Sequence, residues 1–265
     1  MDDLQLSDAE KIFVLQGVQD GLRTDGRGCE DFRPLILETG LVTHASGSAR
    51  VRLGATDVLV AVKAELGPPS EENPNEGRLQ FFVDFSAVAA PRYEGKGGEE
   101  VALSLTAALT AAYAHDSSLP DRKRLCLVPK THCWQLCGGG NLFDAASIGV
   151  KSALYNLRIP NVTVSRNVEN EDQIDIELTD DHFDFWRLNL HESDTTGFPL
   201  LISVSKLGDK HLGELHERGR GSLDPDSVTE MVKTGCKVGR GMNAVLMRKL
   251  MEEEKGGMEA KGFLG

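Results

Sequence analysis

The feature that most constrains this sequence is a contrast in texture. Short apolar runs rich in β-branched residues come in clusters, and single long alanine-rich segments follow them. PLILETGLVT, SARVRLG and TDVLVAVKAEL, between Pro34 and Leu66, are punctuated by Gly47 and Gly54 and read as three strands joined by tight turns. LQFFVDFSAVA and LCLVPKTHCWQL read as further strands. YEGKGGEEVALSLTAALTAAYAHD reads as a loop entering a long helix, because alanine and leucine cost the helix least. GGGNLFDAASIGVKSALYNLRIP reads as a glycine turn and a second such helix, stopped before Pro160. This grouping, with no strict strand-helix alternation, is an α+β pattern.

The ends of the chain extend it. Ser7 with Glu10 three residues on makes a capping box, and Ile12, Leu15, Val18 and Leu22 fall near helical spacing. Beyond Pro160, NVTVSRNVENEDQIDIELTDD starts like a strand and then reads as an acidic loop. FWRLNL and FPLLISVSKLG read as strands, and HLGELHERGRGSL as a loop. A final helix follows over DPDSVTEMVKTGCKVGRGMNAVLMRKLMEEE, with Pro225 in its first turn. The divisions expected are an N-terminal helix over 1–22, one domain over 23–254 and a flexible tail over 255–265.

Among the 265 residues, 29 are Lys or Arg and 41 are Asp or Glu, a net charge of −12. Such a chain repels phosphate backbones on average, so any nucleic-acid role needs a local basic patch or a complex that supplies positive charge. No apolar run approaches a membrane span. MDDLQLSDAEK lacks the pattern of an export signal. Five cysteines, an odd number, are then expected as reduced thiols inside the cell.

Few residues announce chemistry. His132, Cys133 and Cys137 are metal-ligand types, but no second pair stands near them, so buried strand residues beside Trp134 are the better reading. Gly138-Gly139-Gly140 opens a helix without the Lys and Ser/Thr of a phosphate loop, and reads as a tight turn. Asp172, Asp175, Glu177, Asp180, Asp181 and Asp184 could pair carboxylates for magnesium, but read better as a solvated acidic loop. Gly219-Arg220-Gly221 reads as a surface turn. Arg78, Arg92 and Lys96 flank FFVDFSAVAAPRYEGKGG. They would suit single-stranded nucleic acid, with a base on Tyr93 and phosphates on the cations; loops also carry such residues for solubility alone. RTDGRGCEDFRP packs Arg23, Asp25, Arg27, Glu30, Asp31 and Arg33 around two glycines. It could be an active site, an RNA-binding loop or a docking joint.

Several longer stretches belong together. RTDGRG after an N-terminal helix, then FRPLILETG, SGSARVRLGATDVLVAVKAEL, NEGRLQFFVDFSA, CGGGNLFDAASIGVKSALYNLRIP and GSLDPDSVTEMVKTGCKVG, resemble the RNase PH family as found in ring subunits of the eukaryotic RNA exosome. The resemblance covers most of the chain from Leu6 to Leu246. It implies an RNase PH-like fold, akin to the second domain of ribosomal protein S5, with mixed sheets packed against long helices. It implies as partners other RNase PH-like ring subunits, cap subunits with S1 and KH domains, single-stranded RNA and an associated exoribonuclease, with no membrane. It implies work in the nucleus and nucleolus, and also in the cytoplasm.

The same resemblance implies a scaffold with no catalytic residue, no metal and no cofactor. Phosphorolysis needs a preset cluster of cations and amides for inorganic phosphate. Active relatives place arginines near the first long helix, where this chain has Gly97-Gly98-Glu99-Glu100. They also carry an aspartate pair on a later strand that is missing here. About one strand is absent between HCWQL and CGGGN, and roughly three are absent between KLGDKHLG and GRGSLDP. The second half is therefore expected to be incomplete. Losing a central strand orphans backbone partners, so either the register shifts to close the gap or the fold fails. RNA contact is assigned to Arg78, Arg92 and Lys96, and a structured turn at a subunit contact or the RNA path to Arg23, Asp25 and Arg27. The rivals are an active phosphate-dependent 3′-to-5′ exoribonuclease and a truncated isoform that does not assemble.

Overall fold

The computed structural model describes residues 7–86, 93, 96, 98–113, 125–127, 143–165, 176–182 and 225–255, with the backbone of 128, 132–138, 166, 174–175, 183–184, 204–207 and 210–213. Helix α1 spans Asp8–Gln19 and begins as the capping box requires. Glu10 N donates to Ser7 Oγ at 3.3 Å, and Ser7 N donates to Glu10 Oε2 at 2.7 Å. Of the apolar positions expected to form its inner face, Val18 alone is buried; Ile12 and Leu15 are exposed, and Leu22 lies past the helix end.

Strands β1 (Leu35–Thr39), β2 (Gly47–Leu53) and β3 (Thr56–Gly67) form the predicted antiparallel meander. Their register puts Leu37, Val51 and Val58 in one row and Ala49 beside Val60, all buried. Ile36, Arg52 and Asp57 form a row on the other face. This is the period-two signature of a sheet with one covered side. Gly54 makes the β2–β3 turn with φ +61°, a conformation that glycine adopts without strain.

Helix α3 (Phe143–Tyr155) covers that inner side, and every residue from Asp144 to Tyr155 is buried. Its small residues allow the approach. A Cβ on Gly149 would lie 2.7 Å from Val60 Cγ2, and one on Gly47 would lie 2.6 Å from the Ala153 carbonyl oxygen. Glycine inside a helix costs about 1 kcal/mol relative to alanine, and here the tight helix-sheet packing offsets that. Helix α4 (Pro225–Lys255) adds Leu246, Met247 and Leu250 to the same core. Thr39 Oγ1 donates to Glu253 at 2.8 Å, and Tyr155 Oη donates to Glu254 at 3.0 Å. Helix α2 (Glu99–Tyr113) contributes Leu105, Leu109 and Tyr113, with Tyr113 tilted on Phe81 at 5.3 Å.

The expected seam between Leu136 and Cys137 falls inside one continuous strand. β5 (Cys126–Val128) and β6 (His132–Gly138) form an antiparallel pair. β6 then lies between β3 and β4 (Arg78–Phe81). It pairs antiparallel with β3 from Val62↔Gly138 to Gly67↔Cys133, and parallel with β4 from Arg78↔Gln135 to Phe81↔Gly138. The chain across the expected gap thus runs as one strand with partners on both sides, and among the described residues the sheet has six strands.

Three readings of the sequence are corrected. Strand β4 is four residues long, not the whole of LQFFVDFSAVA, because the chain leaves the sheet after Phe81. The acidic stretch is a strand: β8 (Ile174–Asp184) pairs antiparallel with β7 (Arg158–Arg166), since Ile176 and Leu178 alternate with polar neighbours. Part of the presumed loop HLGELHERGRGSL is also a strand: β10 (Lys210–Gly213) pairs with β9 (Val204–Leu207). FWRLNL, Arg218, Arg220 and the tail 256–265 lie outside the described residues. Among the described residues, no helix is long and apolar enough to cross a membrane. The described free thiols are Cys29, Cys126 and Cys236.

Candidate nucleic-acid interface

Of the residues assigned to RNA contact, Arg78 and Lys96 are described. Arg78 starts β4 and is exposed. With the Gln80 amide oxygen turned toward it, its guanidinium donates at 3.1 and 2.8 Å, which holds the cation along the strand. Lys96 is exposed, and its carbonyl accepts from Glu99 N at 3.2 Å at the entry to α2. Arg92 lies outside the described residues.

Tyr93 does not serve as the predicted stacking platform. It is buried, and its ring lies 4.6 Å from that of Phe85 at 34°. Gly98 packs against the same phenylalanine, since a Cβ there would meet Phe85 Cβ at 3.1 Å. The aromatic pair is a structural pin: it fixes the connection before α2 and leaves cations, not a ring, for a strand of nucleic acid. The sequence could not distinguish these roles, because a tyrosine beside basic residues fits both.

The start of α2 bears on phosphate chemistry. A helix N-terminus favours an anion. Here Glu99 and Glu100 occupy the first turn and are exposed. Two carboxylates already answer the helix dipole and oppose a free phosphate.

The RTDGRGCEDFRP stretch is a closed, internally bonded turn. Arg23 N donates to Arg27 O and Gly26 N to Arg23 O, both at 2.9 Å. Leu22 and Gly28 form an antiparallel bridge, and Gly26 takes φ +81°. Arg27 Nε donates to Asp25 Oδ2 at 2.7 Å, and Nη1 to the Asp31 carbonyl at 2.9 Å. The side-chain hydrogen bond from Arg27 is the main cause that lowers the Asp25 pKa. Arg27 is therefore spent on shaping the loop. Glu30 reaches α4, where Lys237 Nζ donates to it at 2.6 Å, so the turn ties α1 to the last helix.

Two charged features were not legible beforehand. Arg50 grips Asp57 in a fork on the outer sheet face, at 3.0 and 2.6 Å, and this lowers the Asp57 pKa. Lys151, on α3, is buried and donates to Asn243 Oδ1 on α4. Desolvation brings its pKa down to about 8. The one signal in the sequence was a lone lysine inside an alanine-rich helix.

The cluster His132, Cys133 and Cys137 lies on β6, where the backbone alone is described. Among the described residues, no three His, Cys, Asp or Glu side chains gather to hold a metal ion. Gly138 ends β6, while Gly139 and Gly140 lie outside the described residues.

Comparison with known proteins adds to this geometry. The RNase PH profile, described as the 3′ exoribonuclease family, domain 1, matches residues 31–160. An exosome complex component Rrp42 of Methanopyrus kandleri is 32% identical over 91% of this chain and 88% of its own. A Dictyostelium discoideum protein, provisionally named an exosome complex exonuclease RRP42, is 27% identical over 94% of this chain and 98% of its own. That alignment runs over 327 residues, and 327 less the chain's 265 leaves at least 62 aligned positions with no residue here. The chain is therefore shorter than that relative within the aligned region. Among solved structures, an Archaeoglobus fulgidus exosome with RNA bound to the active site superposes with a TM-score of 0.67 at 20% identity, covering 89% of this chain and 97% of that one. The archaeal exosome core gives 0.64 at 18% identity. Both show a shared fold.

Proposed function

This chain belongs to the RNase PH family, among its Rrp42 exosome components, and from that premise we propose that it is a non-catalytic subunit of an RNA exosome ring. In this reading it supports 3′-to-5′ RNA processing and degradation by holding its neighbours and guiding RNA, while a separate exoribonuclease cuts. Its partners are other RNase PH-type ring subunits, cap subunits with S1 and KH domains and single-stranded RNA. The nucleus, nucleolus and cytoplasm are where it acts.

The observation that carries the non-catalytic reading is the acidic first turn of α2. Glu99 and Glu100 occupy that turn, at the helix near which the resemblance implies that active relatives place arginines, and carboxylates there oppose a bound phosphate. Arg78 and Lys96 supply exposed positive charge nearby in the sequence on a chain that is acidic overall. They act by neutralising backbone phosphates, which is independent of sequence and weakens with salt.

The test uses the assembled ring with 5′-labelled single-stranded RNA and inorganic phosphate. Omitting this chain's neighbours one at a time locates any phosphorolysis. The expected result is no phosphate-dependent shortening that depends on Glu99 or Glu100, and crosslinking to this chain that falls several-fold in Arg78→Ala/Arg92→Ala/Lys96→Ala. Nucleoside diphosphate released by this chain alone would establish the exonuclease reading that the Dictyostelium name suggests. Unchanged crosslinking in the triple variant would remove the RNA assignment.

A further inference from the structure

Helix α1 is apolar on two sides, and the fold covers one of them. At about 100° per residue, Val14 and Val18 share a side; Val18 is buried and Val14 half-buried. The Cys29 thiol reaches the Val18 carbonyl at 3.8 Å. The turn that carries Cys29 is tied to α4 by Glu30 and Lys237, so the helix is held in place. Leu15, Ile12 and Phe13 lie on the opposite arc and are 39%, 55% and 68% exposed. Gln16 and Gln19 stand among them and are exposed. A surface helix ordinarily turns its apolar stripe inward and its polar side outward. Here the outward arc carries the larger apolar side chains, and apolar groups exposed together mark a surface that docks.

The charge around this arc narrows the occupant. Residues 8–20 carry three carboxylates, Asp8, Glu10 and Asp20, against one amine, Lys11. All four are exposed, and Lys11 is itself bonded to Asp8 at 3.4 Å. Such a border repels the phosphates of RNA and the surface of an anionic bilayer. It also repels a second copy of a chain whose net charge is −12. A protein surface bordered by cations is what it accepts.

We propose that α1 is a docking helix: its arc of Leu15, Ile12 and Phe13 seats in an apolar groove of a different protein subunit of the assembly, where lysine or arginine side chains on the groove's border meet Asp8 and Asp20. A helix laid into a groove through anchors on one face is a recurring mode of recognition. Gln16 and Gln19 can exchange hydrogen bonds with the partner inside such a contact. Because α1 is already capped and tied to the rest of the chain, docking has little backbone to order. This inference rests on the ring-subunit reading, which supplies the partner, and it uses none of the residues assigned to RNA.

The test is co-expression of the full chain with the other RNase PH-type ring subunits and the S1 and KH cap subunits, with amide hydrogen exchange read over α1 and a photocrosslinking phenylalanine analogue in place of Phe13. The expected result is exchange over α1 that slows several-fold on assembly, and a crosslink to an apolar groove of one other subunit with Lys or Arg on its border. Phe13→Glu should raise the dissociation constant for that subunit by roughly tenfold or more. Because Phe13 is 68% exposed, the variant's thermal melt should be unchanged, which separates lost docking from lost folding. Asp20→Lys suits the C-terminal end of the helix and keeps the fold. It should weaken docking several-fold at low salt, and the difference should shrink as salt rises. Unchanged exchange over α1 on assembly, or Phe13→Glu binding like wild type, would overturn the docking helix and leave the ring reading standing. A crosslink to RNA, to a second copy or to added phosphatidylserine vesicles would give the face to that occupant and overturn the proposal. A wild-type chain that captures no other subunit would overturn both readings.

Discussion

The two halves of this molecule bury their strands to very different degrees. In the first, β6 is paired on both sides, and α3 and the end of α4 cover the inner face so fully that Val51, Val60 and Ile148 lose essentially all contact with water. In the second, β7–β8 and β9–β10 are separate two-stranded sheets, and Leu178, Val164, Val228 and Val232 remain exposed. The hydrophobic driving force scales with apolar area removed from water, so stability is concentrated in the first half. What the difference teaches is that a shortened chain can close a sheet where one continuous strand spans the join, and leaves apolar side chains exposed where only two strands pair.

Substitutions can break that contrast, beginning with the site where packing is tightest. Gly149→Leu drives a side chain into Val60, which already lies 2.7 Å from where a Cβ would be. We expect loss of about 3 kcal/mol or more, seen as insoluble protein or a collapsed thermal transition. Next comes Leu246→Ala, which empties a buried site in the same core. It should cost about 2–5 kcal/mol in denaturant unfolding.

Lys151→Met has a smaller effect with a distinctive pH dependence. The buried amine has a folded pKa of about 8, below its ordinary 10.5. Between those values the unfolded chain binds the proton that the folded chain has released, so wild-type stability rises with pH across that window. Met removes a buried charge at nearly constant volume. The variant should be more stable at pH 7, and its advantage should shrink from about pH 8 to 10.5. Melts at three pH values check this; an advantage independent of pH would contradict it. Least of all, Leu178→Ala in the open ribbon should change monomer stability by less than about 0.5 kcal/mol. A loss as large as that of Leu246→Ala would erase the distinction between the halves.

Much of this organisation was legible in the residues. The capping box at Ser7, the β1–β3 meander, the two alanine-rich helices and Pro225 at the start of α4 each rest on local chemistry, and local chemistry is what a sequence states. The fate of the seam at Leu136 was not legible, because a strand's register depends on partners far along the chain. Strand β8 was hidden by charge. Its alternation of Ile176 and Leu178 with acids is a strand pattern, but the excess of carboxylates reads as solvent-facing loop. Tyr93 was misjudged for the opposite reason: an aromatic beside cations looks like a platform until Phe85 is seen against it. Arg78 and Lys96 are exposed, which suits RNA contact and plain solubility equally. A structured turn at Arg23, Asp25 and Arg27 was foreseen, but the tie to α4 through Glu30 and Lys237 needed the fold.

The most direct test of the account is co-expression with a neighbouring RNase PH-type ring subunit, followed by size exclusion with light scattering. The account predicts a soluble complex of defined mass containing both chains, with native-state protection of β2, β3 and α3. Aggregation, or a soluble chain that never captures its neighbour, would contradict it, because a closed first sheet would then not be enough to make a ring subunit.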